Sequence, residues 1–289
     1  MSKRNHLLWF ALPALILYAI FGIYPLFSAV RLSFTNFGGV GAETWIGLKN
    51  YAEILGNPAY FNVLKVTLAY CVIVVVIQNA LGLLFAALLF SLPKIRSGAR
   101  VALLVPSMYS AVIAAFVWQY IYSPLGGGLN ESLKAFGLEN LQQIWLGDPG
   151  IALFAVAAVQ IWMYVGYSTA IFLAGYMSIP AELYDAARID GANAWHRFTK
   201  IDIPLLAPSF TVSITLSTIG TLKSFELPLV LTQGGPDGAT TTLGLQIFNS
   251  LFGEYRFGFS SALSIVMLVM IATIAYVQNW MLRKREQAL

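Results

Sequence analysis

Six apolar runs, each of about twenty residues or more, constrain this chain before any motif does. They lie at 7–30, 66–90, 101–123, 151–177, 205–231 and 261–282. At 1.5 Å rise per residue each is long enough to cross a hydrocarbon core of about 30 Å. Backbone groups have no water to bond there, so a spanning segment must be a helix or part of a closed barrel. The roughly ten-residue alternation of a barrel is missing. The sequence therefore predicts an all-α membrane protein of six transmembrane helices. No repeat or Pro/Gly/Ser linker divides it, which predicts one membrane domain over 1–289.

Basic residues set the expected orientation. Lys3, Arg4, Lys94, Arg96, Arg100, Arg188, Arg197, Lys200, Arg283, Lys284 and Arg285 fall on one side of the spans. Arg31, Lys49, Lys65, Lys134 and Arg256 fall on the other. The richer side is expected to be cytoplasmic, and it carries both termini. The net charge of +4 then reflects topology and gives no reason to invoke nucleic acid. A basic start followed by an apolar run also describes a secretory signal. The run here, about 24 residues, exceeds the usual 7 to 15 of a signal core, so the first span is expected to be retained. The single cysteine, Cys71, excludes an intrachain disulfide and offers no metal-site spacing.

Only 10% of the residues are charged, yet "ELYDAARIDGANAWHRFTKIDIPLL", from Glu182 to Leu206, holds seven charges and a histidine. By the predicted topology it occupies the cytoplasmic loop 178–204. Ser178 and Pro180 precede a helix that Asp190 and Gly191 break, and a second short helix follows before Pro204. Such a knob suits either a partner's groove or the lipid interface. Its bases do not dominate as anionic lipid would favour.

The order of residues resembles the loop signature of binding-protein-dependent ABC import permeases, in which a Glu-Ala-Ala-like start precedes Asp-Gly-Ala, a Phe and a Pro. Glu182, Asp190, Gly191, Ala192, Phe198 and Pro204 occupy those positions, with Leu183 and Tyr184 in place of the two alanines. A second stretch, "FELPLVLTQGGPDGATTTL" from Phe225 to Leu243, is similar to the string at the outer end of the fifth core span in first-subunit permeases of the maltose-type carbohydrate uptake family. Glu226 replaces its usual Asp. The resemblance implies an ABC type I importer permease fold in a bacterial or archaeal cytoplasmic membrane. It also implies that the loop docks on an ATPase subunit through Glu182, Ala186, Ala187, Asp190, Gly191, Ala192 and Phe198. Implied partners are a homologous second permease, an ATPase dimer that holds ATP and Mg, an extracytoplasmic solute-binding protein, a carbohydrate and membrane lipid.

Absent motifs agree with a transport role. There is no Gly-x-x-x-x-Gly-Lys phosphate loop, so no cofactor is expected on this chain. His6 and His196 accompany no partner at an identifiable catalytic spacing, and neither a catalytic nor a metal site is expected. The rival classes are an ion-gradient-driven transporter or channel acting alone, and an intramembrane enzyme.

Polar residues within spans mark a pathway, a partner or a helix contact. Gln160, Tyr164 and Tyr167 fall at i, i+4 and i+7 on one helical face, which suits a sugar's hydroxyls and apolar faces. The alternative is that they bond to neighbouring helices. The resemblance places Gly220, Thr221 and Ser224 in the sugar-contacting segment, although such hydroxyls also bond back to their own backbone. Lys223 and Glu226 are spaced to pair with each other, or else Lys223 faces the cavity and favours an anionic cargo such as a uronate or sugar phosphate. Ser107, beside Pro106, is a further candidate, and Gln78 and Asn79 are expected to join helices.

Overall fold

The computed structural model describes residues 12–287, with side chains as far as Lys284. The start of the first predicted span, with Lys3, Arg4 and His6, lies outside the described residues, as does the Arg285 side chain. The elements are helical: α1 (Leu12–Leu32), α2 (Lys49–Gly56), α3 (Pro58–Ser91), α4 (Arg96–Leu104), α5 (Ala111–Ile121), α6 (Gly128–Ala135) and α7 (Ala152–Ser178). They continue with α8 (Ala181–Ile189), α9 (Ala194–Arg197), α10 (Ala207–Lys223), α11 (Glu226–Thr232), α12 (Leu243–Phe248) and α13 (Phe257–Gln287). Among the described residues the only β pairing is one bridge, Thr35 with Trp45.

Four helices, α1, α3, α7 and α13, are each long and apolar enough to cross a membrane unaided. The other two predicted spans are broken. In 101–123 the chain passes from α4 through a 3₁₀ turn, Val105–Met108, and turns by 96° into α5. Pro106 has no N–H to continue the α-helical ladder, and Tyr109 and Ser110 are extended. In 205–231 a 67° bend precedes α10, where Pro204 and Pro208 flank Leu206. A second break follows α10, because Ser224 is extended before α11 begins. The apolar run predicted the span but carried no sign of the break at Ser224.

The chain forms two compact units, one of residues up to Asn62 with Gln246–Met270, the other of Val63–Leu245 with the residues from Ile271 onward. In the first, buried Asn50 donates to the carbonyls of Ser33 (2.8 Å) and Thr35 (2.9 Å) and holds the turn after α1. Arg256 forms a two-pronged ion pair with Glu53 (2.9 and 2.6 Å) and lies 4.0 Å over the Phe259 ring.

The second unit is assembled on α7. Its lower and upper halves enter two separate apolar clusters, one around Val156, Val159 and Met163 with Tyr70 and Leu227, the other around Phe172, Leu173 and Tyr176 with Leu206. Three crossings reach backbone distance because one side lacks a side chain. A Cβ on Gly166 would lie 2.1 Å from the Leu103 carbonyl oxygen of α4. One on Gly82 of α3 would meet the Ser168 Cβ at 2.6 Å, and one on Gly175 would meet the Ser209 hydroxyl, at the start of α10, at 2.2 Å. Gly166→Ala is therefore expected to cost about 1–3 kcal/mol of stability, since its obstacle is backbone that cannot rotate away. Gly98→Ala, which has open space, serves as control. Denaturation midpoints of the two purified variants check the difference.

Candidate functional site

Where α7 faces α10 and the break at Ser224, the second unit forms a half-open cavity of about 460 Å³. Of the predicted cargo contacts, Gln160, Tyr164, Tyr167, Gly220, Thr221, Lys223, Ser224 and Glu226 all line it, and Ser107 does not. The Ser107 hydroxyl instead donates to the Leu104 carbonyl (2.6 Å) within the 3₁₀ turn, which corrects that expectation.

The lining divides by what its polar atoms already do. Gln160 is 3% exposed, and both ends of its amide are engaged. Its Oε1 accepts from the Tyr70 hydroxyl of α3 (2.5 Å), and its Nε2 donates to the Thr221 Oγ1 of α10 (3.0 Å). Thr221 in turn donates to the Ser217 carbonyl (2.7 Å), the backbone bond anticipated for such hydroxyls. Deeper along the same seam, Asn79 donates to Ser217 Oγ (2.9 Å) and accepts from Ser213 Oγ (2.6 Å). Gln78 donates to Ser168 Oγ (2.9 Å). Gln78 and Asn79 thus join helices as expected. So does Gln160, the alternative reading of its polarity.

A different set of lining residues takes no part in these bonds. Tyr164 and Tyr167 stack with ring centroids 6.3 Å apart, and neither hydroxyl makes a hydrogen bond among the described residues. Lys223 and Glu226 form no ion pair with each other. The break at Ser224 separates them, because Lys223 ends α10 and Glu226 begins α11, where its carboxylate accepts the Phe225 N–H (3.3 Å). The helical i, i+3 spacing that suggested a pair does not survive a non-helical residue between them. At Gly220 a Cβ would meet nothing within 4 Å, so the wall is open there. Sequence reasoning missed Ser213 and Ser217, although with Thr221 they form a hydroxyl stripe at four-residue spacing that was there to read.

The "GGPDGATTTL" stretch stitches this break. Thr242 donates to the Ser224 carbonyl (3.2 Å), Thr241 to Gly234 (3.0 Å) and Thr240 to Gly235 (2.8 Å). The Leu243 N–H reaches the Thr67 hydroxyl of α3 (2.8 Å). The Ser224 carbonyl, freed by the break, is satisfied by a threonine hydroxyl, and the other two threonines close the stretch's own turn.

The charged loop folds as the sequence predicts, with a helix, a turn and a shorter helix. The α8 helix ends in a Schellman motif, with Ala192 N–H to Ala187 O (2.9 Å) and Gly191 N–H to Arg188 O (3.2 Å). Gly191 sits at φ +71°, which a side chain adopts only with strain. Asn193 then caps α9 by accepting the His196 N–H (2.8 Å). Ala186, Ala187, Asp190, Gly191 and Ala192 surround a hollow of about 480 Å³ with His196 and Lys200. Glu182 and Phe198 lie outside it; Phe198 packs on Trp195 (6.0 Å). At the loop's root Tyr184 donates to the Asp202 carboxylate (2.9 Å). Burial holds that carboxyl above the usual carboxylate range, and burial likewise raises the Tyr184 phenol.

Broken spans, a polar-edged intramembrane cavity and a folded loop between spans define a multi-pass helical membrane subunit of the transport kind. Residues 78–287 match the family described as binding-protein-dependent transport system inner membrane component, and the chain belongs to that family. The trehalose/maltose transport system permease protein MalF of Thermococcus litoralis is 34% identical over 269 residues, which cover 92% of this chain and 90% of that one. The lactose transport system permease protein LacF of Rhizobium radiobacter is 31% identical over 282 residues, covering 96% and 94%. The fold is also that of a chain in the crystal structure of a bacterial alginate ABC transporter in complex with alginate pentasaccharide-bound periplasmic protein. The two share a TM-score of 0.85 at 23% identity, over 98% of this chain and 96% of that one.

Because the Gln160 amide is spoken for at both ends, Gln160→Leu is expected to cost about 1–3 kcal/mol by removing a partner of both the Tyr70 and the Thr221 hydroxyls. Adding Tyr70→Phe should recover part of that loss. Ser107→Ala should leave transport unchanged, since its hydroxyl does not line the cavity. Denaturation of the single and double variants, with uptake assays for Ser107→Ala, reads these out.

Proposed function

We propose that this chain is the membrane-spanning subunit of an ATP-driven importer and that its cavity passes a carbohydrate delivered by an extracytoplasmic binding protein. The observation that carries this reading is the division of the cavity lining. The amides and most hydroxyls hold helices together, while two stacked phenols, a lysine and a carboxylate are left toward the space. Phenol rings cover apolar sugar faces and their hydroxyls bond sugar hydroxyls. The relatives named for trehalose, maltose and lactose transport support a carbohydrate cargo. Gly220, Thr221 and Ser224 shape the wall at the break, and Ser224 and the two tyrosines are proposed contacts.

The proposed assembly is a second, homologous permease and two ATPase subunits, in a bacterial or archaeal cytoplasmic membrane with both termini of this chain inside. ATP and Mg reside on the ATPase, and this chain binds no cofactor of its own. The α8–α9 knob docks on the ATPase through its hollow, with Glu182, Ala186, Ala187, Asp190, Gly191, Ala192 and Phe198 as the proposed surface. ATP binding closes the ATPase dimer, the knobs follow, and the helices expose the cavity to alternate sides. Differential affinity for the two states does the work.

A second reading is favoured by one observation. Lys223 lines the cavity without an ion-pair partner among the described residues, which suits an acidic sugar such as a uronate or sugar phosphate. Uptake of neutral and acidic oligosaccharides by proteoliposomes holding the whole complex separates the readings. Lys223→Ala lowers acidic uptake selectively if the cargo is anionic, and spares both sugars if it is neutral. ATP-independent uptake by this chain alone would contradict the importer reading. Gly191→Val is expected to uncouple ATP hydrolysis from uptake while the chain still inserts, because it strains the turn between the knob's helices. Parental uptake by that variant, with normal ATPase association, would remove the knob from the mechanism.

A further inference from the structure

The knob must move something if it is to drive transport, and the structure offers few mechanical links. Among the described residues, the only side-chain hydrogen bond from α8 to another element is that of the Tyr184 hydroxyl to Asp202 Oδ1, 2.9 Å long. The other side-chain bond of α8, Arg188 to Asp185, stays within the helix. Asp202 is 9% exposed, closes the π-helical turn Phe198–Asp202 and stands two residues before Pro204, at the elbow that bends 67° into α10. A carboxylate buried at that point with a single hydrogen bond is costly to keep unless the bond serves a purpose.

The surroundings of the pair are stiff. The Tyr184 ring packs on Phe90 at the end of α3 (5.8 Å), and Phe90 stacks on Tyr176 at the end of α7 (5.3 Å). Arg96 fixes that end of α3 by donating to the carbonyls of Leu89 (3.0 Å) and Phe90 (2.8 Å). The Arg197 guanidinium lies over the Tyr184 ring, 5.8 Å from its centroid. The phenol oxygen therefore sits on a ring held by packing and points at a carboxylate on the next element. Aromatic packing alone permits sliding; a hydrogen bond fixes direction and distance.

We propose that the Tyr184–Asp202 hydrogen bond is the rigid link through which displacement of α8 is delivered to α10, the helix that carries one wall of the cavity. Tyr184 and Asp202 are thus positioning residues. They touch neither cargo nor nucleotide, and they set how much of the knob's motion reaches the cavity. The proposal rests on the reading that α8 faces the ATPase.

The test uses the complete complex, with its ATPase, second permease and binding protein, in proteoliposomes. Tyr184→Phe removes one oxygen and keeps the ring. It is expected to leave ATP hydrolysis within about twofold of the parent while cargo imported per ATP falls about tenfold, the order of effect of losing one hydrogen bond. Asp202→Asn keeps an acceptor oxygen for the phenol and is expected to retain most of the parental ratio. A parental ratio in Tyr184→Phe overturns the link. So does a parallel fall of hydrolysis and uptake, failure of Tyr184→Phe to assemble, or an equal loss of ratio in Asp202→Asn, each of which makes the bond structural or purely electrostatic. In parallel, Asp185→Cys is crosslinked to the ATPase. A crosslink with an unchanged ratio in Tyr184→Phe sinks the link alone; no crosslink removes the docking reading and the link with it.

Discussion

Helix α7 can hold the second unit together only because its neighbours approach it at backbone distance. Between apolar helices in lipid there is no hydrophobic gain from association, so contact must come from close packing and from hydrogen bonds that replace ones unavailable in hydrocarbon. Gly166 admits the α4 backbone, Gly82 lets α3 settle on Ser168, and Gly175 admits Ser209. These approaches bring the polar atoms of three helices within bonding range. The Tyr70–Gln160–Thr221 chain and the Asn79–Ser213–Ser217 cluster follow from that proximity.

The seam in turn decides what the cavity can offer. A buried amide with both ends satisfied is a strut, and removing it exposes its partners to an unpaired existence. The breaks before α5 and after α10 are tolerated at membrane depth because hydroxyls answer the freed backbone groups. Ser107 answers Leu104, and Thr242 answers Ser224. What is left toward the space is aromatic and charged: Tyr164, Tyr167, Lys223 and Glu226. On this account the site's chemistry is the residue after the scaffold has taken its share of polar groups.

Much of this was legible in the sequence. Four of the predicted spans coincide with single long helices, although α3 begins at Pro58, ahead of the predicted 66, and the knob's helix, turn and helix fall where Pro180, Asp190 and Gly191 place them. Gln160, Tyr164 and Tyr167 do share the cavity face of α7. The failures have a common cause. Assigning Lys223 and Glu226 to an ion pair assumed an unbroken helix, and nothing in an apolar run announces that Ser224 is extended. Ser107 was read as facing a pathway because Pro106 stood beside it, yet a hydroxyl in a tight turn finds its own carbonyl first. The occupation of Gln160 depends on Tyr70, ninety residues away, and no local pattern reveals a partner at that distance. Tyr184 and Asp202, eighteen residues apart, were hidden for the same reason.

The claim on which the rest depends is that the space beside α7 is the aqueous path of the cargo. Cys71 is the only cysteine, and it is buried, so a Cys71→Ala background gives single-cysteine reporters without interference. In the assembled complex, cysteines at Tyr167 and Gly220 should react with a water-soluble, membrane-impermeant maleimide, and bound carbohydrate should slow both. A cysteine at Phe154, on the outer surface of α7, should not react. Equal labelling at all three positions, or none at Tyr167 and Gly220 in any nucleotide state, would contradict the account.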